Sequence, residues 1–301
     1  MFNQIPLILC VIVTLFSSTA HAHHASLSIA TWNLEWLTSQ PSVSIKASQR
    51  NKRDIQQLAA HFQTLHPSVL AFQEVNDAAV MRRVVGKEYN LLLSDRSQTS
   101  HRDRQFNDIN QYTGLAIHRD VPYQDVKDLR LDQTRGSKLR FAAYAILYPD
   151  SKQPIHILSV HLKAGCSAAY HSTQECQTLK AQAQRLNQWL KKREQAGDNY
   201  LILGDFNHDL TYRGDWLWSA LRQGLKRAPT LATQHTQATC QTRSSKRPSQ
   251  THQFRSMIDH IIASPELGAT SAQQRHFRRA AVLQYQLSDH CPVSSQITHP
   301  S

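Results

Sequence analysis

Tyr200-Leu201-Ile202-Leu203-Gly204-Asp205-Phe206-Asn207-His208 is the stretch on which the reading of this chain turns. Four mainly apolar, strand-forming residues run straight into a glycine, and a carboxylate, an aromatic and an amide follow at once. A buried strand that ends this way is a rigid stalk. It presents polar side chains at its carboxyl end, where open α/β sheets place their sites. The plain alternative is a strand-to-loop turn in which Asp205 and Asn207 are turn formers. The segment by itself leaves the two readings level, and its companions decide.

Several other segments repeat the pattern. Residues 27–32 alternate as a strand and end at Asn33-Leu34-Glu35, and the short apolar run 69–72 ends at Gln73-Glu74-Val75. Residues 155–160 deliver His161, and the loop Leu287-Ser288-Asp289-His290 precedes a terminal strand. Asp259 and His260 fall inside a further strand over 257–263. Each alone is weak, because a strand-end Asp or Asn is commonly a turn former and a lone His is commonly structural. Together they gather carboxylate and amide oxygens without cysteine, a donor set that suits Mg²⁺, Mn²⁺ or Ca²⁺. Histidines among them suit proton transfer near neutral pH. The combination points to metal-assisted hydrolysis of a phosphodiester.

Between these segments the periodicity predicts a helix from about Arg53, with Ile55, Leu58, Ala59, Phe62 and Leu65 on one face and His66-Pro67 as its stop. Further helices are expected at Ala78–Val85, 174–195 and Trp216–Leu221. Strands are expected at Tyr89–Leu93, 112–117, 139–147 and 280–285. The arginine-bearing stretch 95–111 reads as an exposed loop, and 240–255 as a basic loop with Arg243, Lys246, Arg247 and Arg255.

With 301 residues, 40% hydrophobic and 19% charged, the chain can bury a sizeable core. Residues 1–22 carry no Asp, Glu, Lys or Arg. Their apolar run over 5–16 is shorter than the roughly 20 residues that span a bilayer. It leads to Ala20-His21-Ala22, an A-x-A cleavage pattern. These features predict a signal peptide over 1–22 and one domain over 23–301, secreted or periplasmic, without a stable membrane anchor and monomeric. Cys166, Cys176, Cys240 and Cys291 would remain. The first two flank one short polar loop and are expected to pair, while a bridge between Cys240 and Cys291 stays open. Lys plus Arg exceed Asp plus Glu by 34 to 22, a net charge of +12 that favours an anionic partner.

The ordered set Thr31-Trp32-Asn33, Gln73-Glu74-Val75, Tyr112-Thr113-Gly114, Ser159-Val160-His161, Gly204-Asp205-Phe206-Asn207, Ile258-Asp259-His260 and Ser288-Asp289-His290-Cys291-Pro292 resembles the endonuclease/exonuclease/phosphatase superfamily. The superfamily includes deoxyribonuclease I, exonuclease III-like abasic-site endonucleases, neutral sphingomyelinases and inositol polyphosphate 5-phosphatases. The resemblance implies a four-layer α/β sandwich, two packed mixed β-sheets flanked by helices. It implies Glu74 as the principal metal ligand, with Asn33 binding metal or phosphate, Asp289 supporting the metal side and Glu35 as a further candidate. Asp205 and Asn207 would hold the attacking water and the scissile phosphate. His290, oriented by Asp259, would be the general base or a phosphate-binding imidazole. His161 would be a general acid and Tyr112 a phosphate neighbour, and Arg140 could contact a phosphate. The deoxyribonuclease I branch supports its second histidine with a glutamate ahead of the strand that begins here near Tyr112. This chain has Asn110-Gln111 there, with Asp108 the nearest carboxylate, which weakens the acid role of His161.

A superfamily does not fix a substrate. The basic balance, the arginine-bearing loops and His161 favour a nuclease that uses Mg²⁺ (or Mn²⁺ or Ca²⁺) on nucleic acid, DNA before RNA, with Arg243 and Arg247 on the substrate. The alternatives are a secreted phospholipase C such as a sphingomyelinase, or a phosphoinositide phosphatase.

Overall fold

Two strand–helix–strand crossovers organise the fold in a computed structural model of the chain, which describes residues 25–299. The leader expected over residues 1–22 lies outside the described residues. The elements follow in the order β1 (Ala25–Leu37), α1 (Lys52–Leu65), β2 (Val69–Val75), α2 (Ala78–Val85), β3 (Tyr89–Leu93), β4 (Tyr112–His118), β5 (Tyr123–Asp125), β6 (Ala143–Leu147), β7 (Ile155–His161), α3 (Gln174–Ala196) and β8 (Asn199–Asp205). Then come α4 (Trp216–Leu221), β9 (Thr230–Leu231), β10 (Gln241–Arg243), β11 (Thr251–Gln253), β12 (Asp259–Ala263), β13 (Gln273–Gln274), α5 (Arg279–Gln284) and β14 (Val293–His299).

One six-stranded sheet has the order β13-β14-β1-β2-β4-β3, the other β5-β6-β7-β8-β12-β9, and β10 and β11 form a separate hairpin. Each crossover produces the parallel pair of its sheet, β1 with β2 through α1 and β7 with β8 through α3. Parallel neighbours end at the same edge. Asn33 is thereby opposite Gln73, next to Glu74, and His161 is opposite Asp205. The polar strand ends recognised in the sequence belong to these two central pairs.

Alternation along the strands builds the layers. Leu27 and Ile29 of β1, Val69 and Ala71 of β2, and Leu201 and Leu203 of β8 share one core between the sheets. Trp32, Leu70 and Phe72 point the other way, onto Ile55, Leu58 and Phe62 of α1 and Met81 of α2. Leu158, Val160 and Ile202 pack on Leu179, Leu186 and Leu190 of α3 and on Leu217 and Leu221 of α4. The result is the four-layer α/β sandwich, helices outside two mixed sheets. β8 is buried along its whole length, as befits a strand covered on both faces. Local signals set the helix ends. Asn51 and Asp54 form a capping box at the start of α1, and His66 closes it in a left-handed conformation at φ 38°.

Five expectations are corrected. Residues 280–284 of the strand expected over 280–285 are helical in α5: Val282 faces the core while Leu283 is 43% exposed, and Tyr285 N–H donates to Ala281 O at 3.0 Å, so no neighbouring strand is needed. The 240–255 stretch is a hairpin, with Gln241 opposite Gln253 and Arg243 opposite Thr251. The 95–111 stretch contains two 3₁₀ segments, and its Arg96 and Arg104 are buried because their guanidinium groups satisfy backbone carbonyls at Arg104, Gln111 and Thr134. The strand expected from 139 begins only at Ala143, which leaves Arg140 outside it, and Asp259 opens β12 instead of lying within it. Both cysteine pairs are bridged, Cys166 with Cys176 and Cys240 with Cys291.

Candidate active site

The two parallel pairs aim their carboxyl ends at one point. Asn33 spans the sheets there: its Nδ2 donates to Glu74 Oε1 at 3.2 Å and to Asp205 Oδ2 at 2.9 Å. Its Oδ1 accepts from Glu35 N–H, and Glu74 Oε2 accepts from Trp36 N–H. Between Asn33 and Leu37, β1 carries more residues than the facing stretch of β2, and β2 is itself bulged against β4 at Glu74. Such bulges re-aim side chains beside sites. Their local cost is visible in φ values of 46° at Glu35, 53° at Trp36 and 59° at Glu74, with Asn207 at 51°. Non-glycine residues hold this conformation only where the surroundings over-determine it.

Gly204 explains how Asp205 reaches this point. A Cβ on residue 204 would lie 1.9 Å from the Val160 carbonyl oxygen. Only glycine lets β8 approach β7 so closely. Asp205 then faces His161, whose Nε2 is 3.6 Å from Asp205 Oδ2 and 3.7 Å from Glu74 Oε1. On the other side, β12 places Asp259 in register with Asp205. His290 Nδ1 is 2.7 Å from Asp259 Oδ2, while its Nε2 looks inward, 3.8 Å from Asp205 Oδ2 and 3.9 Å from Asp289 Oδ1. Trp32 Nε1–H donates to the His290 carbonyl and Ser288 Oγ–H to that of Asn33, fixing the loop that carries the imidazole.

Electrostatics sort these groups. Burial pushes Asp205 up to about 7; His290 opposes this and Asp259 adds to it. Burial works against charge on His290, but Asp259, Asp289 and Asp205 outweigh it and hold the imidazole well above its ordinary range. Burial and the Arg140 charge drive His161 well below that range, so it is neutral. Its Nδ1 has no hydrogen-bond partner. Asp108, the nearest carboxylate in sequence, instead accepts from Ser42 and Ser44. Without a glutamate partner, His161 is a neutral imidazole whose Nε2 faces Glu74 and Asp205.

The remaining expected residues divide. Arg140 belongs to the site: its Nη2 donates to Leu162 O, the carbonyl that also accepts from Asn207 Nδ2, and Glu74 and Asp205 lie near enough to favour its charge. Tyr112 is opposite Val75, next to Glu74, with the Arg96 guanidinium 4.8 Å above its ring. Glu35 is held by Arg50 at 3.3 Å, and burial with the Asp289 charge pushes its carboxyl up to about 8. Arg243 and Arg247 lie outside this cluster on the β10–β11 hairpin. Arg243 spends its Nη2 on the carbonyls of Leu283 and Tyr285, and Arg247 bonds within the hairpin turn to Gln250.

Sequence reading missed Arg50, which donates to Glu35 O, Gln286 O and Leu287 O and so ties the Glu35 bulge to the His290 loop. It also missed Arg96 under Tyr112. Both are polar residues in stretches that read as loops, and no motif marks them.

The donor set fits a hard divalent cation. Carboxylate oxygens of Asp205 and Asp259 lie within 4.8 Å of one another around the His290 imidazole, and Glu74 and Asp289 stand beside them. Asp259 Oδ1 is buried without a hydrogen-bond partner. Crowded carboxylates with an unmet oxygen are the chemistry a divalent ion relieves.

A model of the Endonuclease/Exonuclease/phosphatase family matches residues 30–290, which takes in every one of these groups. The chain belongs to that family. Its members are hydrolases of phosphoester bonds and are typically dependent on a divalent metal. Among curated proteins no sequence matches the chain. Among solved structures, an endonuclease/exonuclease/phosphatase from Bacteroides vulgatus is similar at TM-score 0.63 and 15% identity, over 91% of this chain and 98% of the other. A mannosyl-6-phosphatase from Bacteroides thetaiotaomicron gives TM-score 0.61 and 15% identity, over 91% and 100%. Truncated TDP2 from Caenorhabditis elegans gives 0.58 and 15%, over 91% and 98%. At such identities the likeness is one of fold.

Proposed function

We propose that this family member is an exported, Mg²⁺-dependent phosphodiesterase that acts as a nuclease, with DNA as its preferred substrate. The observation that carries the reading is the placing of Asp205 between two imidazoles of opposite character, His161 neutral and His290 charged. Environments that push neighbouring titratable groups apart divide acid and base roles.

Asp205, with a pKa of about 7, is suited to orient the attacking water and take its proton. Asn33 and the backbone N–H of Asn207 fix the carboxylate, and the Asn207 side-chain amide keeps one donor for a phosphate oxygen. His290, kept positive by Asp259, meets the charge that builds on those oxygens. His161 donates through Nε2, and Arg140 adds a fixed positive charge. A divalent cation held by Glu74, Asn33 and Asp289, with Glu35 alongside, would neutralise phosphate charge and polarise the phosphoryl oxygen.

The net charge of +12 favours a polyanionic substrate, and the two disulfides agree with an oxidising compartment. Among the described residues no helix is long and apolar enough to cross a membrane. The protein is taken to act as a monomer. In the test, mature protein is given plasmid DNA, RNA, sphingomyelin vesicles and p-nitrophenyl phosphate, with Mg²⁺ and with EDTA. Mg²⁺-dependent DNA cleavage that EDTA stops is the expected result; hydrolysis of sphingomyelin or the monoester without DNA cleavage would overturn the reading.

A further inference from the structure

A second cavity adjoins the catalytic residues. It is a cleft of about 580 Å³ between the β10–β11 hairpin and α5. That volume is within the range of about 300–1,000 Å³ typical of small-ligand sites. It begins at Glu35 and Asp289. A small pocket of about 40 Å³ over Asp259 and His290 shares Phe254 and Asp289 with it, so the cleft is continuous with the place where phosphate chemistry occurs.

Its chemistry changes along its length. The floor is apolar, made by Phe277, Val282 and Leu287. Phe254 stands at the mouth, 47% exposed, its ring edge-on to His252 at 4.7 Å. Lys46 and Lys246 line the cleft, and neither is in an ion pair among the described residues. Thr242 also lines it, and that residue is 1% exposed. The Thr242 hydroxyl has no hydrogen-bond partner, and an unmet buried hydroxyl is costly. An aromatic face, an unspent hydroxyl and two free cations beside a phosphoesterase centre match the parts of one nucleotide: a base that stacks, a sugar that accepts or donates, and a phosphate.

We infer that this cleft is a subsite for a single unpaired nucleotide flanking the scissile phosphate. The base lies against Phe254, the sugar meets Thr242, and the next phosphate lies between Lys46 and Lys246. A cleft of about 580 Å³ takes one strand, so substrate enters as single-stranded nucleic acid or as a locally opened end. A lipid is the poorer occupant, because Lys46, Lys246 and Thr242 interrupt the lining where a membrane-entering face would be continuously apolar. The assignment rests on the nuclease reading above.

Steady-state kinetics on a single-stranded DNA octanucleotide and on bis(p-nitrophenyl) phosphate test it, in wild type, Phe254→Ala, Thr242→Val and Lys46→Ala/Lys246→Ala. The octanucleotide-to-small-diester ratio of kcat/KM should fall about tenfold in the Phe254 and double-lysine variants, chiefly through KM. The double-lysine variant should also flatten the slope of log(kcat/KM) against log salt by about 0.7, the value for one phosphate contact on a single strand. Thr242→Val should lower the ratio while its Tm holds or rises, since it removes a hydroxyl the protein does not use. A ratio and salt slope unchanged in all three variants would overturn the subsite and leave the nuclease reading intact. Wild type that hydrolyses sphingomyelin vesicles or the small diester, but no DNA, would overturn both.

Discussion

Asp259 and Asp205 are register partners across β12 and β8, and His290 joins them, Nδ1 at 2.7 Å from Asp259 and Nε2 at 3.8 Å from Asp205. Side chains of directly paired residues in an antiparallel ladder share a face, and two carboxylates there repel. The repulsion is put to use. Asp259 raises the pKa of both Asp205 and His290, so one residue poises the two groups to which the proposed mechanism gives the phosphate.

Asp259→Asn keeps the shape and removes the charge. Its kcat at neutral pH should fall about 100-fold, within the range that positioned acid–base groups contribute. The sign of the pH effect follows from the same charge. Without it both folded-state pKa values drop, so the whole kcat/KM profile should move to lower pH. A profile that keeps its position and loses only amplitude would show that Asp259 does not poise the pair.

Metal dependence should be readable from stability as well as activity. Carboxylates crowd the site without a full complement of donors, so Mg²⁺ at 100 times its Kd should stabilise wild type by about 2.7 kcal/mol and raise Tm by several degrees. Glu74→Gln should abolish turnover and most of that Mg²⁺-induced shift. Scanning calorimetry with and without EDTA checks it, and an undiminished shift in the variant would place the ion away from Glu74.

Gly204 has a sharper test. Gly204→Ala would drive a methyl into the Val160 carbonyl at the centre of a sheet, between backbone atoms that cannot swing aside. The expected loss is on the order of 4 kcal/mol or more, a size reserved for such backbone clashes and buried defects. Soluble yield and Tm report it, and a variant that melts like wild type would mean that β7 and β8 part readily to admit a methyl.

Much of this was legible in the sequence where one rule acted alone. α1 reads from its apolar spacing and its Pro67 stop, and β8 from four apolar residues ending at Gly204-Asp205. Asn33, Glu74, His161, Asp205 and His290 were found because strand ends are where α/β sheets put chemistry. Helix α5 was misread because Ala280-Ala281-Val282-Leu283 is short and apolar, and such runs are ambiguous by periodicity. The Glu35 bulge, Arg50 and Arg96 depend on residues more than ten positions away or on strained backbone, which no local pattern announces. Arg140 was expected at a phosphate on resemblance alone, and what ties it to Asn207 is the shared carbonyl of Leu162, which no local pattern announces.

The two disulfides should separate stability from activity. Cys166–Cys176 closes a separation of 10 residues and Cys240–Cys291 one of 51. Chain entropy alone assigns them about 3 and about 4 kcal/mol respectively. Their functional weights should differ far more. Cys291 follows His290 directly and Cys240 opens the β10–β11 hairpin, so the longer bridge fastens the catalytic loop to the wall of the cleft. The shorter bridge fastens the loop whose Cys166 carbonyl is 2.7 Å from His208 Nδ1, beyond Asn207. Cys240→Ser/Cys291→Ser should therefore raise KM for DNA and lower kcat, each several-fold, at temperatures well below its Tm. Cys166→Ser/Cys176→Ser should lose stability with kcat within about twofold of wild type, on the order of 0.4 kcal/mol in the barrier. Equal activity losses in the two double variants, measured where both are folded by circular dichroism, would deny the longer bridge any role beyond stability.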